Sequence, residues 1–123
     1  MKSKNKTHIV KVNELVGPYC VTSSDGKATS NQLIHLVESG DQLIFDFKNV
    51  DIFSTSYFKG LFNCLHSEKD IREIEERIKT LNISELGDKI FTQVLESFKY
   101  SLNHPNSTSI IVDDLINSEV NSL

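Results

Sequence analysis

The residues that most often carry out chemistry do not form a recognisable centre in this sequence. None of the four histidines stands four residues from another histidine or from a cysteine, so no metal-binding pair on one helix face is present. Cys20 and Cys64 are far apart and lack the paired spacing of a zinc site. The sequence contains no phosphate-binding loop and no glycine-rich dinucleotide motif. We therefore expect no metal, no cofactor and no enzymatic activity, although a catalytic Cys–His pair that only the fold could assemble stays open.

One segment combines groups that could bind a partner or a ligand. A strongly apolar strand ends in Asp46, a short loop follows, and the next helix begins with Ser54, Thr55 and Ser56. In open α/β sheets, binding sites lie beyond the carboxyl ends of the strands. Hydroxyl groups at a helix start serve as caps, and the helix dipole would also stabilise a phosphate added there. The segment therefore indicates either a capped helix alone or a surface that a partner can use.

A second polar turn lies earlier in the chain, at 23–27. Ser24 and Lys27 stand at the approach to a predicted helix, and a helix N-terminus with free amides can hold an anion. Together with Asp46, they define the alternative site, in which a small ligand or a nucleotide is held by its anionic group. Helix capping explains the same residues equally well.

Strands and helices alternate along the chain, which indicates an α/β fold. The run Leu43-Ile44-Phe45 is apolar on both faces, as in a parallel-sheet strand covered by helices on both sides. The sequence predicts a single domain with one mixed, mostly parallel sheet of about four strands and helices packed on it. The predicted strands are 8–12, 19–21, 42–47 and 77–82, with another possible at 108–112; the predicted helices are 27–38, 54–65 and 87–102, with a loop at 22–26 and a short charged helix or turn at 67–76.

The helix at 54–65 has the best-marked start of the predicted helices. Ser54 is placed as its N-cap, and Phe53 is placed to pack on Phe58 one turn later. The preceding strand end and the polar face of this helix form the surface on which we expect a partner to bind. The predicted contact residues are Ser54, Thr55, Ser56, Lys59, Gly60 and Asn63.

Length and charge limit the remaining possibilities. The chain has 123 residues, the size of one domain, and its net charge of −4 disfavours general electrostatic binding of nucleic acid. No apolar run approaches the roughly 20 residues of a membrane span, and cysteines placed singly among apolar neighbours favour a reducing, cytoplasmic compartment. We expect a disordered basic N-terminus at 1–6, a domain at 7–104 and a C-terminal extension at 105–123 with a possible strand and a loose tail.

A set of residues in a fixed order carries a family resemblance: Leu43-Ile44-Phe45-Asp46-Phe47, Val50, Ile52, Ser56-Tyr57, Leu61-Phe62 and Asn82. Their order and spacing resemble the STAS superfamily, and more closely its small bacterial STAS-like domains of unknown function. The resemblance covers roughly residues 8–100. It implies a STAS-like α/β domain that regulates a protein partner by binding to it, the partner being a GHKL-type ATPase or kinase or another regulatory protein.

Two departures from the family pattern affect what the resemblance implies. Lys59 and Gly60 stand where the family tends to have Asp-Glu. The anti-anti-sigma branch carries Asp-Ser-Ser-Gly at the helix start, and its phosphorylated serine falls on Ser56, here without the preceding Asp and the following Gly. The resemblance implies phosphorylation of Ser56 as a gate for partner switching, whereas the missing Asp and Gly count against it and favour helix capping and packing as the role of Ser56.

Overall fold

The computed structural model describes residues 6–34 and 41–104. Within these ranges strands and helices alternate, as predicted, apart from one pair of consecutive strands and one pair of consecutive helices, and helices account for most of the residues. The segment 1–5 and the extension at 105–123, with its possible strand, lie outside the described residues. The elements are β1 (Thr7–Lys11), α1 (Val12–Val16), β2 (Tyr19–Cys20), α2 (Ser23–Ile34), β3 (Gln42–Asp46), β4 (Ile52–Phe53), α3 (Thr55–Glu68), α4 (Ile71–Ile74) with a 3-10 turn at Glu75–Arg77, β5 (Ile78–Leu81) and α5 (Glu85–Asn103).

The strands form two parallel sheets. β1, β3 and β5 pair in that order with β3 in the centre, and β2 pairs with β4. The α/β class, the parallel pairing and the packed helices are confirmed. The arrangement differs from the prediction in having five strands in two sheets. β2 and β4 bond to each other, with the Pro18 carbonyl accepting from the amide of Asp51 (2.8 Å).

Side chains of the three-stranded sheet alternate between a covered face and an open face. Leu43 and Phe45 are fully buried in the core that the strands share with the helices, whereas Ile44 is half-buried and its register partner Ile9 is 54% exposed. The prediction that 42–47 is covered on both sides is therefore wrong for the described residues, because an unbroken apolar run does not by itself show which faces are buried. We call the open side the outer sheet face; its residues are Thr7, Ile9, Lys11, Gln42, Ile44, Asp46, Lys79 and Leu81.

Helices α2 and α3 pack with their backbones in direct contact. A Cβ added at Gly26 would lie 2.0 Å from the carbonyl oxygen of Tyr57, and one added at Gly60 would lie 2.2 Å from that of Ser23. Only residues without a Cβ permit this approach. Because β2 leads into α2 and the parallel β4 leads into α3, the two helices begin on the same side of the β2–β4 pair.

Two short regions before and at the start of α2 differ from the prediction. The loop predicted at 22–26 is wrong, because α2 begins at Ser23 and the Thr22 Oγ1 accepts a hydrogen bond from the amide of Asp25 (3.1 Å). α1 was not predicted, since five residues are too few to show a helical period.

The start of α3 agrees with the prediction. The Ser54 side chain accepts from the amide of Tyr57 (3.1 Å), and Phe53 stacks on Phe58 with 5.8 Å between ring centroids. Phe91 of α5 packs edge-on against Phe58 at 5.5 Å, which attaches α5 to the same core. Within the described ranges, neither α5 nor any other helix is long and apolar enough to cross a lipid bilayer.

Candidate functional site

Two large apolar side chains lie exposed beside each other on the β2–β4 pair, and a third is exposed directly after β2. Tyr19 and Ile52 are register partners and are 54% and 50% exposed, whereas Cys20 on the other face is buried. Val21 follows Tyr19 by two residues and is 42% exposed. We call Tyr19, Val21 and Ile52 the apolar strip. Single exposed apolar residues are ordinary, but neighbouring ones on one face are typical of a binding surface.

The three hydroxyl residues at the start of α3, here called the hydroxyl turn, directly follow β4. Ser54 Oγ donates to the carbonyl of Val21 and accepts from the amide of Tyr57. Ser54 therefore links β2 to α3, and this structural role occupies its hydroxyl group. Thr55 and Ser56 are exposed. They are the residues of the turn that a partner can reach.

A buried hydrogen bond between α3 and α2 holds the first turn of α3 in place. The Tyr57 hydroxyl lies 2.8 Å from Thr29 Oγ1, which donates to the carbonyl of Asp25 (2.9 Å). Burial raises the pKa of the Tyr57 hydroxyl far above its usual value, and burial raises the pKa of the Cys20 thiol to about 11. Both groups are therefore neutral at physiological pH. They pack and position the helices, and the Cys20 thiol is not an activated nucleophile.

A groove of about 590 Å³ between α2 and α3 brings together residues that the sequence assigned to different roles. Gly60 and Asn63, predicted to contact a partner, line it with Ser24 and Lys27, predicted to hold an anion. Gly60 is half-buried in the groove, because it packs against the backbone of Ser23. Asn63, Ser24 and Lys27 are exposed and accessible in the groove.

The first turn of α2 does not favour an anion. Thr22 Oγ1 already bonds the amide of Asp25, and the Asp25 side chain places a carboxylate in that turn. Lys27 is the exposed cation of this turn, and Lys59 of α3 is half-buried. A bound anion would meet the Asp25 carboxylate at the same helix end.

Asp46 lies at a different place, at the carboxyl ends of β1, β3 and β5. Its Oδ1 accepts from Asn82 Nδ2 (2.9 Å) and from the amide of Lys48 (3.1 Å). These residues line a polar cavity of about 380 Å³ that Ser24 and Lys27 do not line. The alternative site, which combined Asp46 with Ser24 and Lys27, is therefore not assembled in one cavity.

The electrostatics of this sheet edge favour an ionised Asp46. The hydrogen bond from Asn82 lowers the pKa of Asp46 below its usual value, and the Lys48 amide and the charge of Lys11 act in the same direction. Asn82 has a positive φ of 55°, a conformation that asparagine tolerates better than most residues. Asp46 and Asn82, two of the residues that carry the family resemblance, thus connect β3 to the chain after β5.

No cluster of three metal-ligating side chains occurs within residues 6–34 and 41–104. In the same ranges, the Cys20 thiol forms a hydrogen bond with the Tyr57 side chain, and the Cys64 thiol donates a hydrogen bond to Asn31 Oδ1 (3.4 Å). The sequence analysis did not single out the three exposed residues of the apolar strip. Alternation at 19–21 indicated a strand, but it did not indicate which face of that strand is open.

Comparison with known families identifies the class of domain. Residues 29–88 match the model of a family described as a STAS-like domain of unknown function. The matched segment is about half of the chain and runs from within α2 to the first turn of α5, so it includes the hydroxyl turn. The resemblance inferred from the sequence is thereby confirmed: the chain carries a STAS-like domain. No curated protein and no solved structure matches the chain significantly.

Proposed function

We propose that this protein is a non-enzymatic regulatory module that binds a partner protein through the apolar strip and the hydroxyl turn. The observation that carries the proposal is the position of Tyr19 and Ile52, which lie half exposed and side by side at the point where β4 leads into α3. A STAS-like domain is consistent with a regulatory role.

The apolar strip would supply only part of the binding free energy of an interface. Fully burying a large apolar side chain contributes about 1.5–3 kcal/mol, so a residue that is already half buried contributes about 1 kcal/mol. Tyr19, Val21 and Ile52 together would supply about 3 kcal/mol, whereas micromolar affinity requires about 8 kcal/mol. Polar contacts around the strip must therefore supply the remainder, and the exposed Thr55, Ser56 and Asn63 are the groups placed to make them.

The rigid support of this surface favours binding. Ser54 joins β2 to α3, Tyr57 joins α3 to α2, and Gly26 lets the two helix backbones touch. Less conformational entropy is lost on association when the contact residues are already held in place. The apolar strip and the hydroxyl turn would therefore meet a partner as one preformed surface.

Phosphorylation of Ser56 is the switch that we propose for this interface. Ser56 is exposed in the first turn of α3, where the helix dipole stabilises added negative charge. Lys59 follows by three residues, the spacing at which a phosphate and a lysine on a helix can pair. A phosphate held there would add up to two negative charges beside the apolar strip and weaken the binding of a partner that packs on it.

The resemblance to anti-sigma-antagonist-type domains makes a GHKL-type ATPase or kinase the first partner class to test. The wild-type protein would be used to capture binding proteins from its source organism, and each purified candidate would then be titrated to obtain a Kd. Tyr19→Ser should weaken binding about fivefold, and the matched variant Tyr100→Ser, an exposed tyrosine near the end of α5, should not. Ser56→Asp should also weaken binding, with Thr92→Asp on α5 as its control.

A partner that binds wild type and all four variants equally would refute this placement of the interface. The phosphorylation switch has its own test: mass spectrometry of the protein recovered from cells should find phosphate on Ser56. If a partner responds to Tyr19→Ser but no phosphate is found, docking stands and the switch is refuted.

A further inference from the structure

The outer sheet face is a parallel-sheet surface that no described element covers. Ile9 on β1 and Leu81 on β5 are 54% and 45% exposed, and Ile44 on the central strand is half-buried. Parallel sheets occur almost only with both faces covered, because their faces are apolar and require packing partners. A further helix or sheet layer can therefore pack on this surface.

The apolar residues of this face form a diagonal across three strands. Ile9 is the register partner of Ile44, and Leu81 lies one pair further along the strands than Ile44, in register with Asp46. With strands about 4.8 Å apart and a rise of about 3.3 Å per residue, the diagonal spans about 12 Å. Two turns of an α-helix rise about 10.8 Å, so three apolar residues at i, i+4 and i+7 of a helix match this length.

Lysines flank the diagonal on both sides. Lys79 is the register partner of Ile44 on one side, and Lys11 lies on the other side, next to Asp46; both lysines are exposed. Asp46 is the carboxylate among the outer-face residues, and it already accepts a hydrogen bond from Asn82. Two lysines against one carboxylate give the outer sheet face a net charge of +1, whereas the whole chain has −4. Glu14 of α1 lies at the β1 edge of this face, where it lines a cavity with Ile9 and Lys11.

We infer that the outer sheet face binds an amphipathic helix of a partner protein whose apolar stripe is flanked by aspartate and glutamate. The helix would cover the sheet as a third layer, with its carboxylates near Lys11 and Lys79. A second copy of this chain fits less well, because its face would bring two lysines and a single carboxylate against the same charges. This surface is separate from the apolar strip, so the inference does not depend on the proposed function.

The probe for this inference is a pair of covalently stapled, fluorescent helices of about four turns with the same leucine stripe. One carries glutamate beside the stripe and the other carries lysine. Fluorescence polarisation with the full-length protein should give about tenfold tighter binding of the glutamate helix. The double variant Lys11→Glu/Lys79→Glu should reverse this preference, and Ile9→Asn should weaken binding of both helices. Lys89→Glu, on the exposed surface of α5, is the matched charge control and should change nothing.

Four results would overturn the inference. The two helices could bind equally, the variants at Lys11 and Lys79 could leave the preference unchanged, or Lys89→Glu could have the same effect as the double variant. A dimer found by sedimentation and lost in Ile9→Asn would also overturn it, since a second copy would then occupy the face. Tyr19→Ser should leave helix binding unchanged, so failure here and failure of the proposed interface can be told apart.

Discussion

Replacing Gly26 with alanine should destabilise the protein, although the same change usually stabilises a helix. The added Cβ would lie 2.0 Å from the Tyr57 carbonyl oxygen and 2.7 Å from the Leu61 amide nitrogen. Non-bonded heavy atoms approach comfortably to about 3.5 Å, so α2 and α3 would have to separate by more than about 1 Å. Both contacts are with backbone, which cannot turn away as a side chain can.

The expected size of the effect follows from two opposing terms. A gap of about 1 Å loses up to about half of the dispersion attraction across it, and overpacked cores are destabilised by about 1–3 kcal/mol. Because alanine at position 26 would clash with two backbone atoms, we expect a destabilisation near the upper end of this range, about 3 kcal/mol. Alanine gains about 1 kcal/mol over glycine in helix propensity, so the net loss in the free energy of unfolding should be about 2 kcal/mol.

Urea denaturation followed by far-ultraviolet circular dichroism measures this loss, and it suits a chain without tryptophan. The control is Ala28→Gly in the same helix, which reports the propensity term alone and should cost about 1 kcal/mol. A Gly26→Ala variant as stable as wild type, or more stable, would refute the close approach of α2 and α3.

Three further predictions concern the cap, the buried hydroxyl and the sheet edge. Ser54→Ala should lower the free energy of unfolding by about 1–2 kcal/mol, because it removes the α3 cap. Tyr57→Phe should lower it by about 1 kcal/mol, because it removes the hydrogen bond to Thr29. An unchanged midpoint of urea denaturation would contradict either prediction. Asn82→Ala should raise the pKa of Asp46 towards its usual value in a carboxyl NMR titration, and an unmoved pKa would contradict the assigned cause. Because a lowered folded-state pKa stabilises the protein above about pH 4 and that stability is lost as the pH falls through it, this variant should also lose less stability on acidification than wild type.

Features that depend on neighbouring residues in the chain could be predicted from the sequence. The Ser54 cap and the Phe53–Phe58 stack were predicted because each involves residues within about one helical turn. β3 was predicted because an apolar run bounded by turn signals is a local pattern. The sequence did not predict the contact between Asp46 and Asn82, although both residues carry the family resemblance.

Features that depend on distant contacts could not be predicted. Gly26 reads as part of a turn in the sequence, and its place in α2 follows from the approach of Tyr57, about thirty residues later. Likewise, nothing local shows that Gly60 packs on Ser23 or that Tyr19 lies beside Ile52. The groove between α2 and α3 depends on the helix packing, and the apolar strip depends on the register of β2 and β4. Neither can therefore be predicted from local sequence patterns.

The most direct measurement of the proposed function is an NMR chemical-shift map of the isotope-labelled protein, titrated with the purified partner. We expect the largest shifts on the apolar strip and on Thr55 and Ser56, and we expect Ser56→Asp to reduce them at the same partner concentration. Shifts confined to α5, or to the outer sheet face alone, would contradict the claim that the apolar strip and the hydroxyl turn form the docking surface.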